Sequence, residues 1–422
     1  MGCSKNLVDS EHLMRQLEAA GIEPLHNAGF DEAATVVINT CGFIHDARQE
    51  SIDMILNCAN AKKHGVIEKI FVTGCLSQLH KKELEIELPE VDEYFGARSI
   101  EDITCKLAGC YSRDLRNERK ITTPTHYAYL KIAEGCNRVC AFCSIPQIRG
   151  AHVSTPIEDL IDEAAFLAKK GVKELQIISQ DISYYGIDLY RKQAISELLS
   201  RLCEIDGVDW LRLHYAYPNR FPMEAIELMK REKKICRYLD MPVQHISDKV
   251  LEKMRRNITG KETIALIEKI REKIPDIALR TTLIVGHPGE TEKDFLQLVD
   301  FVKQTRFDRL GVFTYSHEEN TYAAAHYRDR IPKRVKQERA DHIMDIQRCI
   351  SAELNSQKTG KTFKTIIDRI EGDYYIGRTQ HDSPEVDNET LIPLNHKKLQ
   401  IGCFYDVEIY DTEEFDLFGK VK

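Results

Sequence analysis

The sequence predicts an α/β protein in three parts. These are a doubly wound α/β unit over residues 1–115, an open (β/α)6 partial barrel over 121–355, and a small β-barrel of the oligonucleotide-binding shape over 358–422. Three observations lead there. Short apolar runs alternate with amphipathic helical stretches as far as residue 357. Those runs end in Gly, Cys, Gln or His, where a loop carrying chemistry would begin. Past residue 358 the period changes from helical to alternating. A chain of 422 residues can fill two or three cores.

In the first part, Leu13, Leu17 and Ala20 fall at helical spacing, so Ser10–Ala20 reads as a helix that Gly21 ends. Ala34-Thr-Val-Val-Ile38 is a run of the kind buried in a parallel sheet, and it stops at Asn39-Thr-Cys41-Gly42. A helix over 46–63 follows, and the run Lys69–Thr73 then stops at Gly74-Cys75. In doubly wound sheets ligands bind beyond the carboxyl ends of the strands. Cys41 and Cys75 lie there, each beside a Gly that permits close backbone approach. Cys3 precedes the first helix, where an earlier strand would end. The three thiols are candidates for one metal centre, against the alternative of inert buried cysteines. Cys58, Cys105 and Cys110 read as structural, and Asn6, Asp9 and Glu11 as helix-capping groups, holding the Cys3 loop being their alternative role.

In the central part Tyr127–Ala133 reads as a strand delivering the loop Glu134-Gly-Cys136-Asn-Arg-Val-Cys140-Ala-Phe-Cys143-Ser-Ile-Pro146. Helices over 156–170, 193–205, 222–232, 260–273 and 291–305 then alternate with strands over 174–179, 210–214, 238–241, 278–285 and 309–313. Such βα repeats suit a partial barrel with its chemistry at the carboxyl ends, a doubly wound sheet being the alternative topology. The strand ends are polar where a core needs nothing polar. They read Ser179-Gln180-Asp181, His214-Tyr-Ala-Tyr217, Pro242-Val-Gln244-His245 and Gly286-His-Pro-Gly289-Glu290, with Arg280 inside the strand before the last. His245 and His287 are candidate acid–base groups, although a loop histidine is more often structural. Residues 322–330 read as a loop near the barrel mouth. Residues 335–357 read as a long helix whose Ile343, Ile346 and Ile350 pack the tail to the barrel.

The cysteine loop is the most specific signal. Its C-x3-C-x2-C spacing supplies three thiols, which would leave one iron of a four-iron, four-sulfur cluster open to a second molecule. A structural zinc site would want a fourth ligand, and the next candidate, His152, stands nine residues past Cys143. Gly135 keeps the loop entry slim, Phe142 can screen the centre from water, and Pro146 ends the loop. Thirteen cysteines without an export signal argue for metal ligation in a reducing cytoplasm over disulfides. No apolar run of about eighteen residues predicts a membrane span. The net charge of −8 disfavours a general nucleic-acid binder and suits a basic protein partner. The Met1-Gly2 start only partly matches an acylation site, from which Asn6 departs.

Cys136, Cys140 and Cys143 resemble the signature of the radical S-adenosylmethionine (SAM) enzymes. In that superfamily the open iron takes the amino and carboxylate groups of SAM, and an electron splits it to a 5′-deoxyadenosyl radical. Around them, Gly2-Cys3-Ser-Lys-Asn-Leu-Val-Asp-Ser-Glu11, Asn39-Thr-Cys41-Gly42, Gly74-Cys75 and Ile145-Pro-Gln-Ile-Arg-Gly150 resemble the methylthiotransferase family. Leu239–Asp248 and Gly377–Glu385 are similar to its RimO-type branch, which modifies an aspartate of the twelfth small-subunit ribosomal protein. The likeness runs nearly the whole length. It implies two four-iron, four-sulfur clusters, one on Cys136, Cys140 and Cys143 and another on Cys3, Cys41 and Cys75. It also implies SAM contacts from Gln180, Gln244 and Arg280, room for the adenine edge at Gly286 and Gly289, a C-terminal TRAM domain, and an electron-donating reductase as partner. The family carries an apolar strand before Gly-Cys-x-Lys-Asn that this chain lacks. Cys3 is therefore expected on a frayed end, and a chain extended by about eight residues is expected to hold iron better.

In the tail, 363–368, 374–377, 389–392 and 404–410 read as short alternating strands. Residues 358–422 hold nine Lys/Arg against thirteen Asp/Glu, so this barrel is expected to repel phosphate and grip the basic ribosomal protein, a solvated face without a partner being the alternative. Asp382, Glu385 and Asp387 are expected in that grip, with binding that weakens as salt rises. Nucleic acid is not expected as a partner. Other readings of the same sequence are the family's transfer-RNA adenosine branch, a non-enzymatic iron–sulfur scaffold or carrier, and a zinc-binding module.

Overall fold

The computed structural model of the protein describes residues 2–42, 45–394 and 398–422. The first sheet comprises β1 (Thr35–Thr40), β2 (Lys69–Gly74) and β3 (Glu93–Tyr94), all parallel. Helices lie on both faces, so apolar residues on either side of the strands, such as Val37, Ile38, Phe71 and Val72, are packed against them. Leu13 and Leu17 of the helix Ser4–Ala19 pack with Phe71, Phe95 and Ile103 on one face. Ile55 and Cys58 of the helix His45–Lys63 pack with Ile38, Val72 and Leu76 on the other.

The first helix begins at Ser4, six residues before its predicted start. Asn6, Asp9 and Glu11 are thus interior helix residues and not caps, and all three are buried. Their face is polar because it meets a polar neighbour. Glu11 accepts from the backbone N and Oγ1 of Thr122 at 2.7 and 2.8 Å and pairs with Arg119 at 3.3 Å.

The central sheet uses β4 (Tyr127–Lys131), β7 (Glu174–Ile178), β8 (Trp210–Leu213), β9 (Ile235–Asp240), β10 (Ala278–Val285) and β11 (Arg309–Thr314). All are parallel, and their order in space follows the chain without reversing. A doubly wound sheet reverses its order at a switch point, so this sheet is the open (β/α)6 barrel. Helices wrap it outside, burying residues such as Leu130, Leu175, Leu211, Leu239 and Leu283 in one core. The predicted strand 127–133 stops at Lys131. Ala133–Glu134 (β5) turns aside to pair antiparallel with Val153–Ser154 (β6), and the cysteine loop hangs between these two short strands. Within 322–330, expected as a loop, Thr321 caps a short helix Tyr322–His326. Its Ala323 N donates to Ala141 O at 2.7 Å, inside the cysteine loop.

The tail is a closed barrel ordered β12 (Thr362–Glu371), β13 (Tyr374–Thr379), β14 (Glu389–Pro393), β16 (Asp416–Val421), β15 (Phe404–Thr412). It seals the amino ends of the central strands. His126 meets Asp368 at 2.7 Å, Glu174 meets Arg378 at 2.8 Å, and Trp210 lies edge-on to Phe404. Arg309 pairs with Asp382. Glu385 accepts from the hydroxyls of Tyr127 and Tyr129 at 2.9 and 3.2 Å, and Asp387 from Tyr238 at 2.8 Å. This corrects the expected grip, because Asp382, Glu385 and Asp387 are spent holding the tail to the barrel. The first unit covers the opposite, carboxyl ends, where Asp9 pairs with Lys131 and Arg48 with Glu318. Among the described residues no helix is long and apolar enough to cross a membrane.

Candidate active site

The cysteine loop lies at the carboxyl mouth of the barrel. Gly135 opens it at φ +73, where a Cβ would fall 2.2 Å from Ala151 O. Cys136 N closes the loop on Gly150 O at 3.1 Å. Donors are aimed at two of the thiols: Arg138 N at Cys136 Sγ and Arg256 Nη1 at Cys140 Sγ, each at 3.4 Å. The Tyr217 hydroxyl stands 3.7 Å from Cys140 Sγ. Burial pushes the Cys136 thiol up to about 11 and Cys143 up to about 12, so a metal's charge is needed to release their protons near neutrality. Phe142 packs with Ala141, Tyr315 and Ala323 over the loop. Pro146 ends the loop by starting the helix Ile145–Arg149. Among the described residues no three His, Cys, Asp or Glu side chains converge as a single metal ion requires.

The first unit gathers its three predicted thiols around Asn6. Cys3 precedes the first helix, Cys41 follows β1, and Cys75 follows β2. The Asn6 Oδ1 lies 4.0 Å from Cys3 Sγ and 3.8 Å from Cys75 Sγ, while its Nδ2 donates to Thr40 O at 3.0 Å, next to Cys41. Burial pushes the Cys75 thiol up to about 11. Cys3 itself is exposed, with its carbonyl accepting from Leu7 N at 3.0 Å. Of the cysteines read as structural, Cys58 is fully buried, whereas Cys105 and Cys110 are exposed and fill no core.

A buried polar bridge joins the two thiol sets. Arg149 donates to Asp9 at 2.7 Å, to Glu134 at 3.1 Å, and to Asn6 Oδ1. Lys131 binds both Asp9 and, at 2.8 Å, Glu134. Burial opposes charge on Glu134, yet Lys131 and Arg149 outweigh it and hold the carboxyl well below its usual range. The sequence offers Asp9 only as a helix cap or a brace for the Cys3 loop, because its two cations, Arg149 and Lys131, lie 140 and 122 residues away and no spacing rule reaches that far.

Gln180 follows β7 and donates to Glu134 Oε1 at 3.0 Å, while its own buried Oε1 has no partner among the described residues. Gln244 holds φ +70, its backbone bonded to Thr282 and Ile284, and its Oε1 is likewise buried without a partner among the described residues. Two orphan amide oxygens on the loops that follow β7 and β9, at the end of the barrel that carries the cysteine loop, suit a ligand rich in donors. Arg280, the third SAM candidate, is only the third residue of β10 and stands 3.8 Å from Asp387. It faces the tail rather than the strand end. Burial drives His245 down to about 3 and His287 to about 4, so both are neutral. His245 Nδ1 accepts from Ser247 N at 3.0 Å, which fits the structural reading.

Family models match three stretches: the radical SAM superfamily over 130–302, the uncharacterized protein family UPF0004 over 1–96, and the TRAM domain over 359–421. Among solved structures, the chain resembles the radical SAM methyltransferase TsrM from Kitasatospora setae with tryptophan substrate and a SAM analog bound. The TM-score is 0.56 at 15% identity, over 74% of this chain and 70% of that one. It also resembles the cobalamin-dependent SAM radical enzyme OxsB with aqua-cobalamin and SAM bound, at TM-score 0.52 and 11% identity, over 80% and 53%. At such identities these two speak for the fold alone. Fold and family models together define a radical SAM enzyme, a class that works with a four-iron, four-sulfur cluster and SAM.

Full-length relatives narrow the class. A Bacteroides fragilis protein is 55% identical over 421 residues, covering 100% of this chain and 98% of the relative. A Cytophaga hutchinsonii protein is 54% identical (100% and 96%), and one from Flavobacterium johnsoniae is 52% identical (100% and 96%). Each is named ribosomal protein uS12 methylthiotransferase RimO. The chain belongs to this methylthiotransferase family, and the transfer-RNA branch is not favoured.

Proposed function

We propose that this chain transfers a methylthio group to the β-carbon of an aspartate in ribosomal protein uS12, in the cytoplasm. In this reading Cys136, Cys140 and Cys143 hold the SAM-splitting cluster, and Cys3, Cys41 and Cys75 hold a second one. The observation that carries it is the bridge. Asn6, which touches Cys3 and Cys75, and Glu134, two residues before Cys136, are gripped by the same Arg149 guanidinium. Two thiol sets fixed to one another suit a reaction that takes a hydrogen atom at one centre and sulfur at the other. A hydrogen on the β-carbon beside a carboxylate is too weakly acidic for a side-chain base, so it must leave as an atom. When bound, the barrel's cluster would deliver the electron that splits SAM and the first unit's cluster would hold the sulfur.

The chain's own groups bind, orient and exclude water. Arg256 and the Arg138 amide stabilise anionic sulfur on Cys140 and Cys136. Gln180 and Gln244 offer amide oxygens to SAM's donors, while Arg280 is turned to Asp387 of the tail and takes no part in this reading. Residues 1–115, 121–355 and 358–422 serve as separate folding units. The tail floors the barrel and leaves Asp373, Asp406, Asp411 and Glu413 exposed to a basic protein partner. A cellular reductase supplies the electrons.

The test is anaerobic reconstitution with iron, sulfide, SAM, a reductant and uS12, read by mass spectrometry for an added methylthio group and by chromatography for 5′-deoxyadenosine. Both products are expected from the natural chain and neither from Cys140→Ala. Deoxyadenosine persisting in an iron-loaded Cys140→Ala sample would overturn the reading. A mere cluster carrier would cleave no SAM.

A further inference from the structure

Lys5 follows Cys3 by two residues on the helix Ser4–Ala19, and only 8% of it is exposed. Its ammonium stands 3.3 Å from the centroid of the Tyr215 ring. Tyr215 is the second residue past β8 and is held at φ +62, at the carboxyl mouth of the barrel. On the same loop, Tyr217 places its hydroxyl beside Cys140 Sγ. Lys5 therefore reaches from the thiols of the first unit to the wall that carries the second set.

The other buried cations around these thiols are already engaged. Lys131 and Arg149 share Asp9 and Glu134. Arg138 pairs with Asp181 at 2.7 Å. Arg256 donates to Pro242 O at 2.6 Å and to Cys140 Sγ. Lys5 makes no ion pair and no hydrogen bond among the described residues, and the Tyr215 ring is its contact. A ring face offsets only part of the cost of taking an ammonium out of water. This is a buried ammonium without a carboxylate partner among the described residues, set between the helix that follows Cys3 and the loop whose Tyr217 stands beside Cys140.

We propose that Lys5 receives the side-chain carboxylate of the substrate aspartate and so sets the β-carbon between the two centres. The assignment rests on the aspartate reading given above. An ammonium also explains why a carboxylate would be taken and a carboxamide refused, since Lys offers donors and charge but no acceptor.

The experiment measures, anaerobically on reconstituted protein, the affinity for a uS12 peptide bearing the target aspartate and for the same peptide with asparagine. The natural chain, Lys5→Met and Lys5→Arg are compared, with iron per chain showing that each is loaded. Lys5→Met should bind the aspartyl peptide roughly ten- to a hundredfold more weakly, the usual worth of a charge-assisted hydrogen bond. Binding of the asparaginyl peptide should shift by less than about twofold, and Lys5→Arg should keep most of the discrimination. Equal losses for both peptides, or none, would overturn the assignment. So would weakened SAM binding with peptide affinity intact. A natural chain that binds both peptides alike and methylthiolates neither would overturn the uS12 reading itself. A natural chain that discriminates, beside a Lys5→Met that discriminates equally, overturns only the role of Lys5.

Discussion

Arg149 is buried at the end of a short helix, with three acceptors drawn from two structural units. Replacing it with Met would leave Asp9 and Glu134 sharing only Lys131, one cation for two buried carboxylates. Breaking a buried pair in this way typically costs about 3–5 kcal/mol. Arg149→Met should therefore lower the unfolding free energy obtained from anaerobic urea titration by that order, measured on protein without iron so that ligation plays no part. A loss below about 1 kcal/mol would mean that Lys131 neutralises both acids alone. The residue belongs to a motif visible in the sequence, Ile145–Gly150, yet its task was not legible there. A motif says that an arginine follows the cysteine loop; only the fold says that Asp9 lies opposite.

At the scale of elements, sequence periodicity found most of what is buried on one face and missed what is short or polar. The six barrel strands were visible because each is a short apolar run bounded by turn signals at regular distance. The strand Asp416–Val421 was missed because Gly419 and the flanking acids hide its alternation, although the tail barrel cannot close without it. The first turn of the helix Ser4–Ala19 was missed for a related reason, since Lys5, Asn6 and Asp9 bury polar groups that a hydrophobic count ignores. The cysteine ligand candidates were legible, while the Gln180 and Gln244 oxygens needed the structure to show them unpaired. The seam between tail and barrel has a pH signature of its own. Burial works against charge on Glu174, the first residue of β7, but Arg378 and then Arg212 overrule it and bring the carboxyl to about 2. A depressed carboxyl stabilises fully above its ordinary value near 4.5 and loses that contribution as pH falls towards 2. Hydrogen-exchange protection in residues 358–422, taken relative to the intrinsic rate at each pH, should fall between those limits. Glu174→Gln should flatten that acid dependence, and an unchanged profile would remove Glu174 as its source.

For the whole molecule, each end of the barrel has its own cover. The first unit lies over the carboxyl mouth, bringing its thiols and Lys5 to the chemistry, and the tail plugs the amino ends. The division bears on what the acidic tail does. Asp382 binds Arg309, Glu385 binds two tyrosines, and Asp387 binds Tyr238, so none of the three is free for a basic protein. Burial opposes charge on Asp382, and Arg309 beside it holds its carboxyl well below the ordinary range. Neutralising all three as Asp382→Asn, Glu385→Gln and Asp387→Asn should therefore loosen the plug. The expected outcome is a lower melting temperature and faster proteolysis between the helix Lys333–Ser356 and β12, with the salt dependence of uS12 association kept. That dependence should instead flatten when Asp373, Asp406, Asp411 and Glu413 are neutralised, because these acids face solvent. If the first triple variant stayed resistant to protease and bound uS12 weakly, these three acids would belong to the substrate grip after all, and the tail would have to swing from the barrel to use them.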